Sequence, residues 1–525
     1  MQKHKQKIEY LFAILLFFFG LYYYCFRILG FDLAYTPGDF GDSRFINYVL
    51  EHGYRWLCGI EPDFWRANFM YPLKDNIAIS DSMAGALPIY ALFRFIGIDV
   101  EPSYQLWWLS CCILNFWLCF VAFKKIGFKP FLSAIGAYAF AFGINNFNQF
   151  VHLQFNCKFF VPIAIALFYS FLKEPKQKYF ILLVLAIVLQ FYCSAYIAIF
   201  LIMFLFFFGV LYLSYSNNRK LFVAYLNKKL LIRLSIVTIT GMVLILLVAL
   251  PYFNMARALG PQKYSTIVSG IPTFFSYFLP VDSSITWQLL RDTPAREYPL
   301  WYLHELFAGI FCYMGFFIAL IHVIYCVIKK QTINFLSAFL VVSCCFFILL
   351  FSRTESGHSL FKYIQMLPGF GSMRLTSRFM IVITFVMIWL SLYYFSKFSK
   401  ERSIWLSLFL AFLVIGDNLF DNKKMSRSLT QERINKTERM CNLIRSQNTA
   451  NNKIIAVLNL KDGSESFHLD VMLATQKLGL YTLNGYSSTC YGNLCAAYND
   501  PNHIKLSNWL KSYYIEESKV TFIND

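Results

Sequence analysis

Charge is scarce in this sequence. Of its 525 residues only 14% are Asp, Glu, Lys or Arg, whereas 58% are hydrophobic and 19% aromatic. A soluble chain carries about a quarter charged residues, so a water-soluble globular protein is excluded. Chemistry-bearing signatures are missing as well. There is no Gly-rich phosphate loop, no nucleophile elbow and no zinc-type spacing among the 14 cysteines. Most of those cysteines, such as Cys111, Cys112, Cys344 and Cys345, lie in apolar runs, where a free thiol acts as a small hydrophobe. No short internal repeat suggests a solenoid, and no Gly-interrupted pair of apolar runs suggests the inverted repeats of a transporter. The formal charge of +18 does not imply nucleic acid, because the basic residues are scattered in small groups between apolar runs.

What is present is a series of apolar runs of membrane-spanning length. About 20 apolar residues cross a bilayer as a helix. Eleven candidates occur, at 9–29, 103–123, 128–145, 156–172, 178–193, 195–215, 231–250, 305–328, 333–351, 378–396 and 403–419. The first follows Lys3, Lys5 and Lys7, is long for a signal peptide and ends in no small-residue cleavage site, which predicts an uncleaved span. With the N-terminus in the cytoplasm, basic clusters fall in every cytoplasmic loop, for example Lys124–Lys125, Lys228–Lys229 and Lys329–Lys330. None of these loops is large enough to bind a nucleotide, so nucleotide-dependent chemistry is not expected. The apolar stretch 83–96 holds Pro88 and Arg94; counting it as a span would invert the charge pattern downstream. It is predicted to be an interfacial helix starting near Ser80, Asp81 and Ser82. Residues 1–420 then form a transmembrane domain with a first outer loop at 30–102. Residues 421–525 form a soluble tail on the outer side, with a strand at 454–458 and a helix at 470–478.

The most informative polar stretch is Pro37 to His52. Asp39 and Asp42 flank Phe40 and Gly41, and downstream apolar residues recur at helical spacing on one side. This predicts an amphipathic helix lying on the membrane surface with acids at its start. A carboxylate there can act as a general base or hold a metal. Asp39 also suits a Pro-Gly-Asp turn, Asp42 a helix N-cap, and Asp81 a similar helix start. The outer turn between the third and fourth spans carries Asn145, Asn146, Asn148, His152 and Gln154, a set able to hydrogen-bond sugar hydroxyls or simply to line a wet loop. Arg374 and Arg378, in the stretch Pro368 to Phe379, stand at the mouth of the tenth span. Guanidinium groups at that depth suit a phosphate or diphosphate, or anchor the span at the interface.

In layout, the chain resembles the GT-C superfamily of integral-membrane glycosyltransferases, and more closely a set of uncharacterised bacterial GT-C-like membrane proteins. The residues carrying the resemblance are Gly38-Asp39-Phe40-Gly41-Asp42-Ser43-Arg44-Phe45 with Glu51 and His52, then Ser80-Asp81 and His152-Leu153-Gln154. Thr376-Ser377-Arg378-Phe379 and Asn484-Gly485-Tyr486-Ser487 complete the set. The resemblance implies an all-α polytopic membrane protein of about eleven transmembrane helices, with interfacial helices in the first outer loop and a small α/β C-terminal domain. It implies transfer of a sugar from a polyprenyl-phosphate donor to an envelope lipid, glycan or protein acceptor on the outer face of a bacterial cytoplasmic membrane. Asp42 matches the catalytic base best, with Asp39 second. Arg374 and Arg378 are then the donor-phosphate residues, and Asp81, His152 and Gln154 contact substrate. Some members require a divalent metal, Mg or Mn, and others do not. Cys490 and Cys495, close together on the outer side, are candidates for a disulfide. Two rival readings are a non-catalytic scaffold that binds lipid-linked sugar and a lipid or glycan transporter. A transporter would need ionisable groups deep within its spans, and the span centres carry almost none.

Overall fold

The computed structural model describes residues 2–144, 146, 150–367, 369–398, 404–458, 464–487, 498, 500 and 502–524. Asn145, Asn148, Pro368, Cys490 and Cys495 lie outside these residues.

Away from water, a chain satisfies its backbone N–H and C=O groups internally, and the apolar runs accordingly form helices. Seven described helices are long and apolar enough to cross a membrane: Gln6–Leu29, Val100–Ile126, Leu153–Lys173, Ala195–Ser214, Lys228–Leu259, Ile310–Ile328 and Thr376–Lys397. Four shorter apolar helices, Pro130–Phe142, Gln177–Cys193, Phe335–Phe351 and Leu408–Asp417, stand where the other candidate spans were expected. The protein is a multi-pass membrane protein. Thr376–Lys397 is almost wholly enclosed by its neighbours, and Lys228–Leu259 is peripheral. Small residues allow the closest helix contact. A Cβ on Gly315 would fall 2.3 Å from the Cα of Ser391, whose hydroxyl donates to the carbonyl of Phe311 at 2.7 Å.

At one end of the bundle, β1 (Tyr35–Pro37) pairs antiparallel with β2 (Arg427–Leu429), Pro37 opposite Arg427. This ribbon joins the first loop to the start of the C-terminal tail. The helix Asp42–Leu57 follows, and its setting corrects the sequence-based expectation. Its faces are not left to water and lipid, because Ser43 through Gly53 are all buried by protein. Its polar face is covered by protein. Arg44 reaches Asp470 at 2.5 Å, Asn47 donates to Glu101 at 3.1 Å, and Glu51 accepts from Arg94 at 2.9 and 3.2 Å and from Tyr90 at 2.8 Å. The second loop helix runs Leu87–Phe95, starting later than expected. Leu92, Phe95 and Ile96 form its exposed apolar edge.

In the tail, β3 (Ile454–Leu458) is the centre of a parallel sheet with β4 (Tyr481–Thr482) and β5 (Val520–Asn524) at its edges. The helices Thr430–Gln447 and Glu465–Leu478 pack on it through Cys441, Ile444, Val471 and Ala474. The side chain of Asn484 extends the ladder, accepting from the amide of Val457 at 2.8 Å and donating to its carbonyl at 2.7 Å. The tail grips the first loop at several points. Arg433 faces Glu101 at 3.1 Å, Gln476 donates to the carbonyl of Tyr48 at 3.1 Å, and the amide of Thr482 donates to the carbonyl of Asn68 at 2.8 Å.

Candidate active site

The ribbon fixes both ends of the acidic loop. The amide of Gly38 donates to the carbonyl of Ser426 at 2.8 Å, and the hydroxyl of Ser43 to the carbonyl of Pro37 at 2.7 Å. Asp42 is therefore placed at the first turn of the loop helix, where the helix dipole favours a negative charge. Gly41 precedes it. A Cβ there would lie 2.9 Å from the Tyr486 hydroxyl and 3.3 Å from the Asp39 carboxylate, so the close approach of these groups requires glycine.

Three distant parts of the chain converge on Asp42. Its Oδ2 lies 2.7 Å from Nδ1 of His152, and its Oδ1 accepts from the Tyr486 hydroxyl at 2.7 Å. Arg374 and Arg378 are both near enough for their charges to act on it. The carboxylate remains 32% exposed, which leaves it open to a reactant. Burial pushes the Asp42 carboxyl up, but His152, Tyr486 and Arg374 outweigh it and hold the group below the usual carboxylate range. Asp39 behaves oppositely. Burial and the adjacent Asp42 charge push it up, against the pull of the Gly41 and Ser43 amides and of His152. Two neighbouring carboxyl groups thus have their proton affinities driven apart, an arrangement able to supply distinct acid–base roles.

Phe155 is the pivot behind this cluster. Its ring carries the Arg378 guanidinium at 4.7 Å and meets the rings of His152 and Tyr196 edge-on at 6.1 and 6.2 Å. The Tyr196 hydroxyl accepts from the amide of Arg374 at 2.8 Å, which seats the arginine loop on the helix Ala195–Ser214. Gln154 is buried on the single turn Leu153–Asn156, and among the described residues its Oε1 accepts no hydrogen bond. Phe155 carried no signal in a sequence so rich in aromatics. Tyr486 stood inside a matched motif, but its partner was not readable there.

Asp81 lies apart from Asp42 in its bonding and caps the helix Ala195–Ser214, accepting from the Ser194 hydroxyl at 2.8 Å and the Ala195 amide at 2.9 Å. Burial pushes its carboxyl up to about 6 from an ordinary 3.8. A buried acid with a raised proton affinity stabilises the fold fully below its unfolded value, and that contribution is lost as pH rises through the folded value. Wild-type melting temperature is therefore expected to fall more steeply than that of Asp81→Asn between pH 4 and about 6. Equal slopes for the two proteins in a detergent-solution melt would contradict this.

Asp42 and His152 offer two ligands to a divalent ion, but among the described residues no third His, Cys, Asp or Glu side chain joins them in a metal-binding group.

No protein-family model and no curated relative matches the chain. Among solved structures it is similar to the oligosaccharyltransferase of Archaeoglobus fulgidus in the apo form, with a TM-score of 0.53 and 10% identity over 92% of this chain and 65% of that one. The same archaeal enzyme, AglB, in complex with an inhibitory peptide and a dolichol-phosphate aligns at a TM-score of 0.48 and 9% identity, again over 92% of this chain and 65% of that one. The chain thus spans somewhat less than two thirds of the length of the enzyme it matches. What this chain shares with the apo enzyme is the overall fold.

Proposed function

We propose that the protein is a membrane glycosyltransferase that moves a sugar from a polyprenyl-phosphate-linked donor to an envelope lipid, glycan or protein acceptor, on the outer face of a bacterial cytoplasmic membrane. The observation that carries this reading is the convergence of His152, Tyr486 and the two arginines on one partly open carboxylate, Asp42. In the reaction, Asp42 takes the proton from the acceptor hydroxyl as that oxygen attacks the anomeric carbon. The bond from the anomeric carbon to the donor phosphate breaks, and Arg374 and Arg378 stabilise the charge gathering on the departing phosphate. Direct displacement inverts the anomeric centre. Asp39, with its raised proton affinity, is the second candidate for the base.

The test compares extracted lipids and surface glycans from cells with wild-type protein, with none, and with Asp42→Asn at equal membrane abundance. The expected result is a sugar-bearing product in the first strain alone, with lipid-linked sugar accumulating in the other two. A scaffold reading draws on the fact that both Asp42 oxygens already have protein partners. Identical glycans in all three strains would favour it and overturn the transferase.

A further inference from the structure

The end of the bundle remote from Asp42 holds a second polar face. The helix Val100–Ile126 leads away from the first loop, and its 27 residues cover about 40 Å at 1.5 Å per residue. Near its far end, the ammonium of Lys125 lies over the ring of Tyr179 at 4.0 Å. Beside that contact is a helix of ten residues, Ser216–Tyr225, set directly between the apolar helices Ala195–Ser214 and Lys228–Leu259.

This short helix has no buried residue. Ten residues do not hold a helix well on their own in water, and packing within the protein supplies little here. One contact is the ring of Phe222 against Phe171, at 5.7 Å. Leu221 and Tyr225, one helical turn apart, stand on the same side as Phe222 and are 64% and 48% exposed. Arg219 and Lys220 flank this apolar side, and Lys228, Lys229 and Arg233 follow, all exposed. Residues 216–233 contain these five cations and no acid. The connection at 173–178 meets the same face, Arg233 donating to Gln177 at 3.1 Å. It adds Lys173, Lys176 and Lys178 against a single acid, Glu174, which Lys176 pairs at 2.6 Å.

We propose that the helix Ser216–Tyr225 and the cations around it form a docking surface for anionic phospholipid headgroups of the leaflet at this end of the bundle. The apolar side enters the headgroup–acyl boundary, and the arginines and lysines pair with phosphate. A short helix with apolar residues on one side and cations beside them takes this position, and each basic residue near an anionic surface strengthens attachment about fivefold. Charge complementarity selects the occupant, because cations outnumber the one acid, Glu174, on this face and its apolar side chains adjoin the ends of membrane-length helices. The surface is separate from the Asp42 site and does not depend on the reaction proposed for it.

The test uses the full chain, purified in an uncharged detergent and exchanged into mixed micelles of phosphatidylglycerol and phosphatidylcholine. Retained lipid is counted by native mass spectrometry. The wild type is expected to retain phosphatidylglycerol in preference. A variant combining Arg219→Gln, Lys220→Gln, Lys228→Gln and Lys229→Gln should lose at least about tenfold of that preference. A Leu221→Ser, Tyr225→Ser variant should hold less of both lipids while keeping the anionic preference. All these side chains are exposed, so unchanged melting temperatures in detergent alone would show that both variants fold. An undiminished preference in the glutamine variant overturns the proposal. So does a wild type that retains both lipids equally, which would leave the face to an acidic protein or a nucleic acid.

Discussion

Asp42→Asn is expected to lower the rate of sugar transfer by about 10²–10⁴-fold, the contribution of a positioned general base. Asparagine has nearly the shape of aspartate and still accepts from Tyr486, so the fold and the apparent affinity for the donor should change little. The loss then falls on turnover. Initial rates in detergent at saturating lipid-linked donor measure it. Asp39→Asn is the discriminating companion, since Asp39 has the higher proton affinity and accepts the Gly41 amide at 3.1 Å. If Asp39→Asn were the more damaging change, the base would be Asp39 and Asp42 would orient it. The pH profile gives a second readout. Because Asp42 is held below the usual carboxylate range, the rate should persist through that range and fall only in more acidic solution. Tyr486→Phe removes one of the donors that keep Asp42 ionised, so its proton affinity rises and the acid limb should move to higher pH. An unmoved limb would reduce Tyr486 to a packing residue.

Arg433→Ala is expected to destabilise the protein by about 3–5 kcal/mol, the usual consequence of stripping one partner from a buried ion pair. Arg433 is fully buried between the tail and the first loop, 3.1 Å from Glu101 and 3.2 Å from the Ser43 hydroxyl, with its guanidinium 5.6 Å from the Tyr104 ring centre. Without it, Glu101 keeps the side-chain amide of Asn47 but loses its ion-pair partner. The melting temperature should drop, and residues 421–525 should become accessible to protease before the bundle opens. Replacing both partners by neutral groups, Glu101→Gln with Arg433→Met, should recover much of the loss, because no uncompensated charge then remains buried. A single variant that melts like wild type would mean that the ribbon and Arg44–Asp470 hold the tail without this pair.

The two loop helices show where pattern-reading has its limit. Phe45, Val49 and Trp56 repeat at helical spacing, and a one-sided helix results whether the other side meets water, headgroups or protein. Here it meets Asp470, Glu101 and Arg94, so a helix expected on the membrane surface is interior. Ser80-Asp81-Ser82 likewise has the chemistry of a helix start, and Asp81 does cap a helix, but one that begins more than a hundred residues later at Ala195. The side chain's capacity was readable locally and its partner was not.

The sequence by itself determined the apolar helices, the strand Ile454–Leu458 and which carboxylates and arginines border the polar loops. These are one-dimensional properties: a bilayer selects apolar runs by length, and a buried parallel strand by an uninterrupted apolar run. Tertiary structure alone decided that Asp42 receives His152 on one oxygen and Tyr486 on the other, the latter from 444 residues away. The Tyr486 bond exists because the C-terminal tail docks on the first loop through Arg44, Arg433 and the β1–β2 ribbon. A hydrogen bond depends on distances of a few tenths of an ångström between groups whose separation along the chain carries no information about their separation in space.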